Sequence, residues 1–222
     1  MTASNGLFLI SQANAPGLSE IPGADDETDT LSNMMQKQGI PHHRFSGPAA
    51  TVQNVKEKIR SYNAIHLACH GSQIVGKPLE SGFYLLDQDG PNGEPQLGCL
   101  RLSEVIKENL PNADFAFLSA CQTSTGDQTL SDEAVHLAAG MLAAGYHSVV
   151  GTMWSIEDRY GQFIAEEFYK NLLERSTVDG VPRLHGSQAA YALNHAVKCL
   201  RKEVGDAAHG LLAWIPYVHF GV

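Results

Sequence analysis

The sequence predicts an α/β protein in which helices cover both faces of a mainly parallel sheet. Two apolar runs, Phe115–Leu118 and Ser148–Met153, are typical of strands that are buried on both faces. Helical stretches alternate with such runs, and Asp158–Glu174 repeats apolar residues at every fourth position. This alternation predicts parallel strands connected by helices. A chain of 222 residues suits one such domain, and we predict a single domain over residues 1–222.

The first half of the chain predicts three more strands and two helices. Leu7–Ile10 is a buried apolar run, and the helix Ala24–Gln38 begins with acidic residues and ends before a glycine. His42–Phe45 and Ala64–Ala68 have the length and apolar character of strands. Between them, Thr51 is placed to cap a helix that continues through Ser61.

The second half predicts a small hairpin, more helices and a last strand. Turn residues within Ile74–Leu86 favour the hairpin, of which Gly82–Leu86 is the clearest strand. The further elements are helices at Leu102–Leu110, Asp132–Ala144 and Ser187–Arg201, and a strand at Tyr217–Phe220.

Composition excludes several classes of function. The formal net charge of −9 argues against a general affinity for nucleic acid or for anionic membranes. No segment approaches the roughly 20 apolar residues of a membrane span, and Met1–Ile10 lacks the basic start of a signal peptide. We therefore expect a cytoplasmic protein. No CxxC or HExxH pattern occurs, so no metal site is predicted. Cys69 is expected to be a small buried residue packed at a strand end, and Cys99 and Cys199 are expected to be inert thiols.

Two of the predicted strands run into residues that can carry chemistry. Ala64–Ala68 leads to His70, and Phe115–Leu118 leads to Cys121. Ligands of parallel sheets bind beyond the carboxyl ends of the strands. If these strands are neighbours, His70 and Cys121 lie side by side at one edge of the sheet. A thiolate is a nucleophile, and a nearby imidazole can take the proton of the thiol.

Gly71 is the third residue of this predicted catalytic site. A glycine has no Cβ, so its backbone amide can face a substrate carbonyl closely. We therefore predict that the backbone amides of Gly71 and Cys121 together form an oxyanion hole. Cys121 follows His70 by 51 residues, which matches the caspase pattern of a histidine about 50 residues upstream of the cysteine.

The amino-acid sequence around these residues resembles that of one family within the caspase–hemoglobinase clan. Three segments are similar to sequences of the CHAT family: Ile65–Gly71, Pro78–Gly82 and Leu118–Thr123. The segments Ala143–Trp154 and Tyr217–Gly221 resemble the same family. The resemblance covers nearly the whole chain, and several motifs occur in the right order.

Resemblance to the CHAT family implies a caspase-like three-layer sandwich with a mainly parallel six-stranded sheet. It also implies endopeptidase chemistry without a metal or an organic cofactor. The implied partners are a protein or peptide substrate and either TPR-type regulatory regions or an activating partner, since such domains commonly follow TPR repeats. No such repeats occur in this sequence. Ser119 and Thr123 depart from the caspase motif, which has Gln and Gly there, and this puts caspase-type specificity for Asp in doubt.

Two acidic residues are candidates for substrate binding. Trp154–Asp158 resembles the CHAT and separase segment in which an Asp lies near the pocket for the residue before the scissile bond. Asp158 would there favour Arg or Lys by charge pairing. The alternative is that Ser155 and Asp158 form a helix capping box. Asp127, in the segment after the predicted nucleophile, is the second candidate, and its alternative is a solvated turn residue.

Three other functions remain to be weighed against a peptidase. A catalytically silent caspase-like scaffold would keep the same fold and act in protein interaction. A glutaminase-type hydrolase would place its nucleophile in Gly-x-Cys-x-Gly, whereas Ser119 and Thr123 occupy those glycine positions. A nucleotide-binding domain would need a GxGxxG or Walker A sequence after a strand, and no such sequence occurs.

Overall fold

The computed structural model describes residues 4–72, 74, 76–87, 94–119, 133–154 and 156–222. Its main sheet has six strands: β1 (Ser4–Ser11), β2 (His42–Ser46), β3 (Tyr62–Ala68), β7 (Phe115–Leu118), β8 (Ser148–Thr152) and β9 (Tyr217–Gly221). The strands lie in the order β2-β1-β3-β7-β8-β9. All pairings are parallel except that of β8 with β9. The predicted six-stranded, mainly parallel sheet is therefore confirmed.

Helices cover both faces of this sheet. They are α1 (Gly23–Lys37), α2 (Val52–Lys58), α3 (Leu102–Lys107), α4 (Glu133–Ala143), α5 (Asp158–Ser176), α6 (Ala189–Val204) and α7 (Ala208–Trp214). Thr51 caps α2 as predicted, because its hydroxyl accepts a hydrogen bond from the Asn54 N–H. Among the described residues, no helix combines the length and apolar character that a membrane span requires.

The core is divided by the sheet into two apolar layers. Along β1, Phe8 and Ile10 pack in the layer with α2, α3 and α4, whereas Leu7 and Leu9 pack in the layer with α1, α5 and α6. This division follows from the alternation of side chains along a strand. Each central strand consequently needs apolar residues at successive positions, which is why the strands appear in the sequence as continuous apolar runs.

A second, smaller sheet corrects the hairpin predicted within Ile74–Leu86. Its strands are β4 (Gly71–Ser72), β5 (Gly82–Asp87) and β6 (Gln96–Arg101), in that order, and all pairings are antiparallel. β5 therefore pairs with β4 on one side and along its whole length with β6 on the other, and β6 was not predicted from the sequence. Of the six residues of β6, only Gly98 and Leu100 are buried, so this strand has almost no apolar alternation to reveal it.

Two histidines at the margins of the main sheet predict a dependence of stability on pH. Burial lowers the pKa of His219 on β9, and burial, Lys58 and His42 lower the pKa of His43 on β2. The unfolded chain then binds more protons than the folded chain near the ordinary histidine pKa of 6.5. We therefore expect the free energy of unfolding to decrease as the pH falls from about 7 to about 5.

Urea unfolding at several pH values measures this dependence. The variant His219→Gln is expected to show a smaller loss of stability over that pH range, because one of the two low-pKa groups has been removed. The matched control is His185→Gln, since His185 is exposed. Parallel pH profiles for His219→Gln and the wild type would contradict the assignment.

Candidate active site

The register of β3 and β7 brings the two chemistry-bearing strand ends together. Ala64 pairs with Phe115 and Leu67 pairs with Leu118 in a parallel ladder, so the two strands are neighbours as the sequence analysis required. The Ser119 N–H continues the ladder with a 2.9 Å hydrogen bond to the Leu67 carbonyl. His70 and Cys121 are each the third residue in the chain after one of these paired leucines. Cys121 itself lies outside the described residues.

The His70 ring is held by the loop between β1 and α1. It is 1% exposed, and its Nε2 lies 2.7 Å from the backbone carbonyl oxygen of Ser19. A carbonyl only accepts, so Nε2 carries a proton and the neutral ring has its lone pair on Nδ1. Among the described residues, no group forms a hydrogen bond with this buried Nδ1. The ring therefore presents a basic nitrogen that the described part of the chain does not use.

The backbone of His70 and Gly71 is fixed by the small sheet. Gly71 pairs with Phe83, and the Tyr84 N–H donates a 2.8 Å hydrogen bond to the His70 carbonyl. This bond flanks the Gly71–Phe83 pair, which makes it a non-hydrogen-bonded pair of the antiparallel ladder. The Gly71 N–H consequently points away from β5. A backbone N–H that does not bond to the neighbouring strand can donate to another group.

Asp158 lies where two helices begin close together. It is the first residue of α5 and is exposed, and its Oδ2 lies 3.4 Å from the Gly23 N–H at the start of α1. The residue that caps α5 is Glu157, without a side-chain bond. Ser155, the other residue of the alternative capping box, lies outside the described residues, and Asp158 occupies the first helical position of α5 instead of the third. Its carboxylate instead lies at the positive end of α1.

The second candidate for substrate binding, Asp127, lies outside the described residues. Cys69 is 1% exposed and thus buried as predicted. Burial also raises the pKa of the Cys99 thiol on β6. A raised pKa disfavours the thiolate, so Cys99 is a poor nucleophile.

A buried polar cluster that was not predicted from the sequence lies beneath the two strand ends. Glu27 on α1 is 5% exposed, and its Oε2 accepts a 2.7 Å hydrogen bond from the Ser119 hydroxyl. Its Oε1 lies 2.8 Å from Nε2 of His66 on β3, off the line of a straight hydrogen bond. On the far side of the His66 ring, Nδ1 lies 3.3 Å from the Tyr169 hydroxyl. One carboxylate therefore bridges α1, β3 and the end of β7.

Two tyrosines beside this cluster remain protonated. Burial, with the Glu27 charge as a second cause, raises the pKa of both Tyr169 and Tyr217 well above its ordinary value. Neutral phenols place no second negative charge beside Glu27. The sequence signal for the cluster is the spacing of Glu27, which falls on the buried face of α1 with Leu31.

One group of described side chains has the composition of a metal site. Glu167 on α5 and His195 and Cys199 on α6 bring their donor atoms within 4.8 Å of one another. The group lies on α5 and α6 and shares no residue with the strand ends that carry His70 and Ser119. Its signal in the sequence is the spacing of His195 and Cys199, four positions apart on one helix.

These features define a class of protein. A three-layer α/β sandwich with a six-stranded, mostly parallel sheet is consistent with the caspase-like architecture, and it places His70 beyond the end of a central strand. The model of the CHAT domain family matches residues 3–222. The chain belongs to the CHAT domain family.

Other comparisons add little to this assignment. No curated protein matches the chain. Among solved structures, the chain is similar to the crystal structure of protein GSU0716 from Geobacter sulfurreducens, with 9% sequence identity and a TM-score of 0.38 over 98% of this chain and 93% of that chain. A similarity of that size supports no inference about activity.

Proposed function

We propose that the protein is a cysteine endopeptidase that uses a His70–Cys121 pair. The observation that carries this proposal is the fixed orientation of the His70 ring, whose Nε2 is bound by the Ser19 carbonyl while Nδ1 is left unbonded by the described residues. The register of β3 and β7 supports it, because both residues follow neighbouring strands at equal distance along the chain. Membership of the CHAT domain family supports hydrolase chemistry.

The proposed mechanism gives each residue one task. The Cys121 thiolate attacks the scissile carbonyl and forms a thioester as the peptide bond breaks. His70 takes the thiol proton at Nδ1 and gives it to the leaving amine. The amides of Gly71 and Cys121 stabilise the oxyanion, and the orientation of the Gly71 N–H away from β5 supports that role. Water then hydrolyses the thioester.

Covalent labelling tests the proposed function directly. The intact mass of the protein is measured after incubation with peptidyl acyloxymethyl ketones that carry either Arg or Asp next to the reactive group. We expect the Arg probe to label the wild type at one site and to leave Cys121→Ala unlabelled. Absence of labelling by both probes, with Cys121 still reactive towards iodoacetamide, would contradict the peptidase and favour a silent or latent scaffold.

We further propose that the enzyme cleaves after a basic residue and that Asp158 supplies the negative charge for it. Its exposed carboxylate lies beyond the end of β8, beside the start of α1. If it pairs with the substrate, Asp158→Asn is expected to reduce the preference for the Arg probe over a norleucine probe by roughly 10-fold, the effect of one charged hydrogen bond. The measurement is the ratio of the two labelling rates.

A structural role for Asp158 makes a different prediction. The carboxylate also stabilises the N-terminus of α1, so its loss could act through the fold alone. Both labelling rates would then fall together, with a lower melting temperature, and their ratio would stay unchanged. That result would discard Asp158 as a specificity residue. Asp127 remains a candidate on its position in the sequence alone, and Asp127→Asn in the same assay tests it.

The substrate is proposed to be a protein or peptide, and a TPR-type regulatory region or another activating partner is proposed to control access to the site. A cytoplasmic location is proposed as well. Cys99 and Cys199 are free thiols, which is the usual state in a reducing compartment.

A further inference from the structure

Three different donor atoms converge on the surface where α5 and α6 pack together. The Sγ of Cys199 lies 3.5 Å from Nε2 of His195, and the same nitrogen lies 3.8 Å from Oε2 of Glu167. All three donors lie within 4.8 Å of one another. The other carboxylate oxygen of Glu167 is held at 2.9 Å by the Lys170 ammonium group, so Oε2 is the oxygen that faces His195.

The separation of His195 and Cys199 matches an edge of a zinc tetrahedron, and the 3.8 Å between Glu167 and His195 is slightly longer than such an edge. With zinc–sulfur distances near 2.3 Å and zinc–nitrogen or zinc–oxygen distances near 2.1 Å, neighbouring donors in a tetrahedral site lie about 3.4–3.6 Å apart. We propose that Glu167, His195 and Cys199 form a zinc-binding site that joins α5 to α6. The His195 side chain is 46% exposed, so water can take the fourth position.

The donor set selects the metal. A thiolate and an imidazole suit Zn²⁺, whereas Mg²⁺ and Ca²⁺ require oxygen donors. The hydrogen bond from Lys170 orients the Glu167 carboxylate, as hydrogen-bond partners of metal ligands do in known metal sites. Lys198 and Lys202 border the same surface, and their positive charges weaken cation binding. The expected affinity is therefore moderate, and it rises with pH because the thiol and the imidazole must lose their protons.

Zinc binding is measured on the full chain carrying Cys121→Ala, so that the proposed catalytic cysteine cannot supply a ligand. Competition with a chromophoric chelator gives the affinity for Zn²⁺, and the absorption of bound Co²⁺ reports a thiolate ligand. Cys199→Ser and His195→Ala are each added to this background. Cys99→Ser is the matched control, because Cys99 is a free thiol on another element, β6.

The expected result is one bound zinc ion, a thiolate–cobalt charge-transfer band and a raised melting temperature with zinc. Cys199→Ser and His195→Ala should each weaken zinc binding by at least about 10-fold, and Cys99→Ser should leave it unchanged. Equal zinc affinity in all variants, or no binding at micromolar zinc, would overturn the site.

The buried cluster around Glu27 carries a second inference, which rests on the proposed peptidase function. Ser119 is the first residue after β7 and stands two residues before Cys121. Its N–H is bound by the Leu67 carbonyl and its hydroxyl by Glu27. The β1–α1 segment thus contacts both strand ends, since its loop supplies the Ser19 carbonyl to His70. We infer that the Ser119–Glu27 bond is a positioning contact for the nucleophile.

Two variants that each lack one hydroxyl group distinguish an effect on the position of the nucleophile from an effect on stability. Ser119→Ala removes the donor that ties the end of β7 to Glu27. Tyr169→Phe removes a hydroxyl from the far side of the His66 ring, in the same buried cluster. The variant keeps the ring that packs against Phe115 and Phe117 of β7. Ser119→Thr is the conservative variant that keeps a hydroxyl. For each protein, the melting temperature and the rate of labelling by the Arg probe are measured, together with the rate of alkylation by iodoacetamide.

We expect Ser119→Ala to slow labelling by roughly 10- to 100-fold, the effect of misplacing a reacting group. Ser119→Thr should restore most of the rate, and Tyr169→Phe should label like the wild type despite a similar loss of melting temperature. Similar labelling rates in both hydroxyl deletions would overturn the inference. If the Arg probe labels no variant, the peptidase proposal fails. The alkylation rates then decide, with a change in Ser119→Ala alone as the supporting result.

Discussion

Replacing Cys121 with alanine is expected to lower peptide hydrolysis by roughly 10⁴-fold or more, the usual effect of removing a catalytic nucleophile. His70→Ala is expected to cause a loss of similar size, because residues that act as one catalytic unit do not contribute additively. The measurement is turnover of fluorogenic peptides with Arg before the cleaved bond. Combining both substitutions should therefore add little to either single loss.

The two single variants should differ in stability. Removal of the His70 ring leaves the Ser19 carbonyl without its donor and creates a cavity at a side chain that is 1% exposed. We therefore expect His70→Ala to lower the melting temperature more than His70→Asn, whose amide can still donate. Turnover by Cys121→Ala within a few-fold of the wild type would contradict the mechanism, whatever the stability of the variant.

The second large effect is expected at Glu27. Glu27→Leu removes the acceptor of the Ser119 hydroxyl and the carboxylate beside His66. A buried hydrogen-bond donor that is left without its acceptor typically costs a protein about 1–3 kcal/mol of stability. We expect Glu27→Leu to lower the free energy of unfolding by an amount in this range, as measured by urea denaturation.

Apolar replacement of the whole cluster provides the control. Of the polar groups in this cluster, the variant Glu27→Leu, His66→Phe and Ser119→Ala leaves the Tyr169 hydroxyl alone without its partner. A phenyl ring at position 66 can stack on Phe117 as the imidazole does at 5.0 Å. Such replacements are often neutral for stability. The triple variant should therefore be more stable than Glu27→Leu. If the triple variant instead loses as much stability as the three single substitutions added together, the polar contacts of Glu27 contribute little to stability.

Most of the main sheet and its helices could be predicted because burial on both faces leaves a clear pattern. Phe115–Leu118 consists only of apolar residues, and the strand has the predicted bounds. β6 and α7 were missed for the opposite reason. α7 buries only Gly210 and Ala213 among its seven residues, so it lacks the apolar spacing that identifies a surface helix.

The candidate site was predictable as far as strand order determines it. Ala64 and Phe115 are paired, and they are separated in the chain by the same 51 residues as His70 and Cys121. The partners of His70 were not predictable, because the Ser19 carbonyl is backbone and has no signature in residue types. Glu27 could have been noticed as a charged residue on the buried face of α1, but the sequence does not reveal that it binds Ser119.

The bond from His70 to the Ser19 carbonyl has a consequence for how this site can evolve and be studied. Every amino acid brings the same carbonyl, so substitution at position 19 leaves the acceptor in place. An alanine scan of the loop would therefore not detect this contact, which orients the ring of the proposed catalytic histidine. Changes in loop length are different, because they displace the carbonyl itself. We expect this loop to tolerate many side chains but few insertions or deletions, a constraint on spacing rather than on identity.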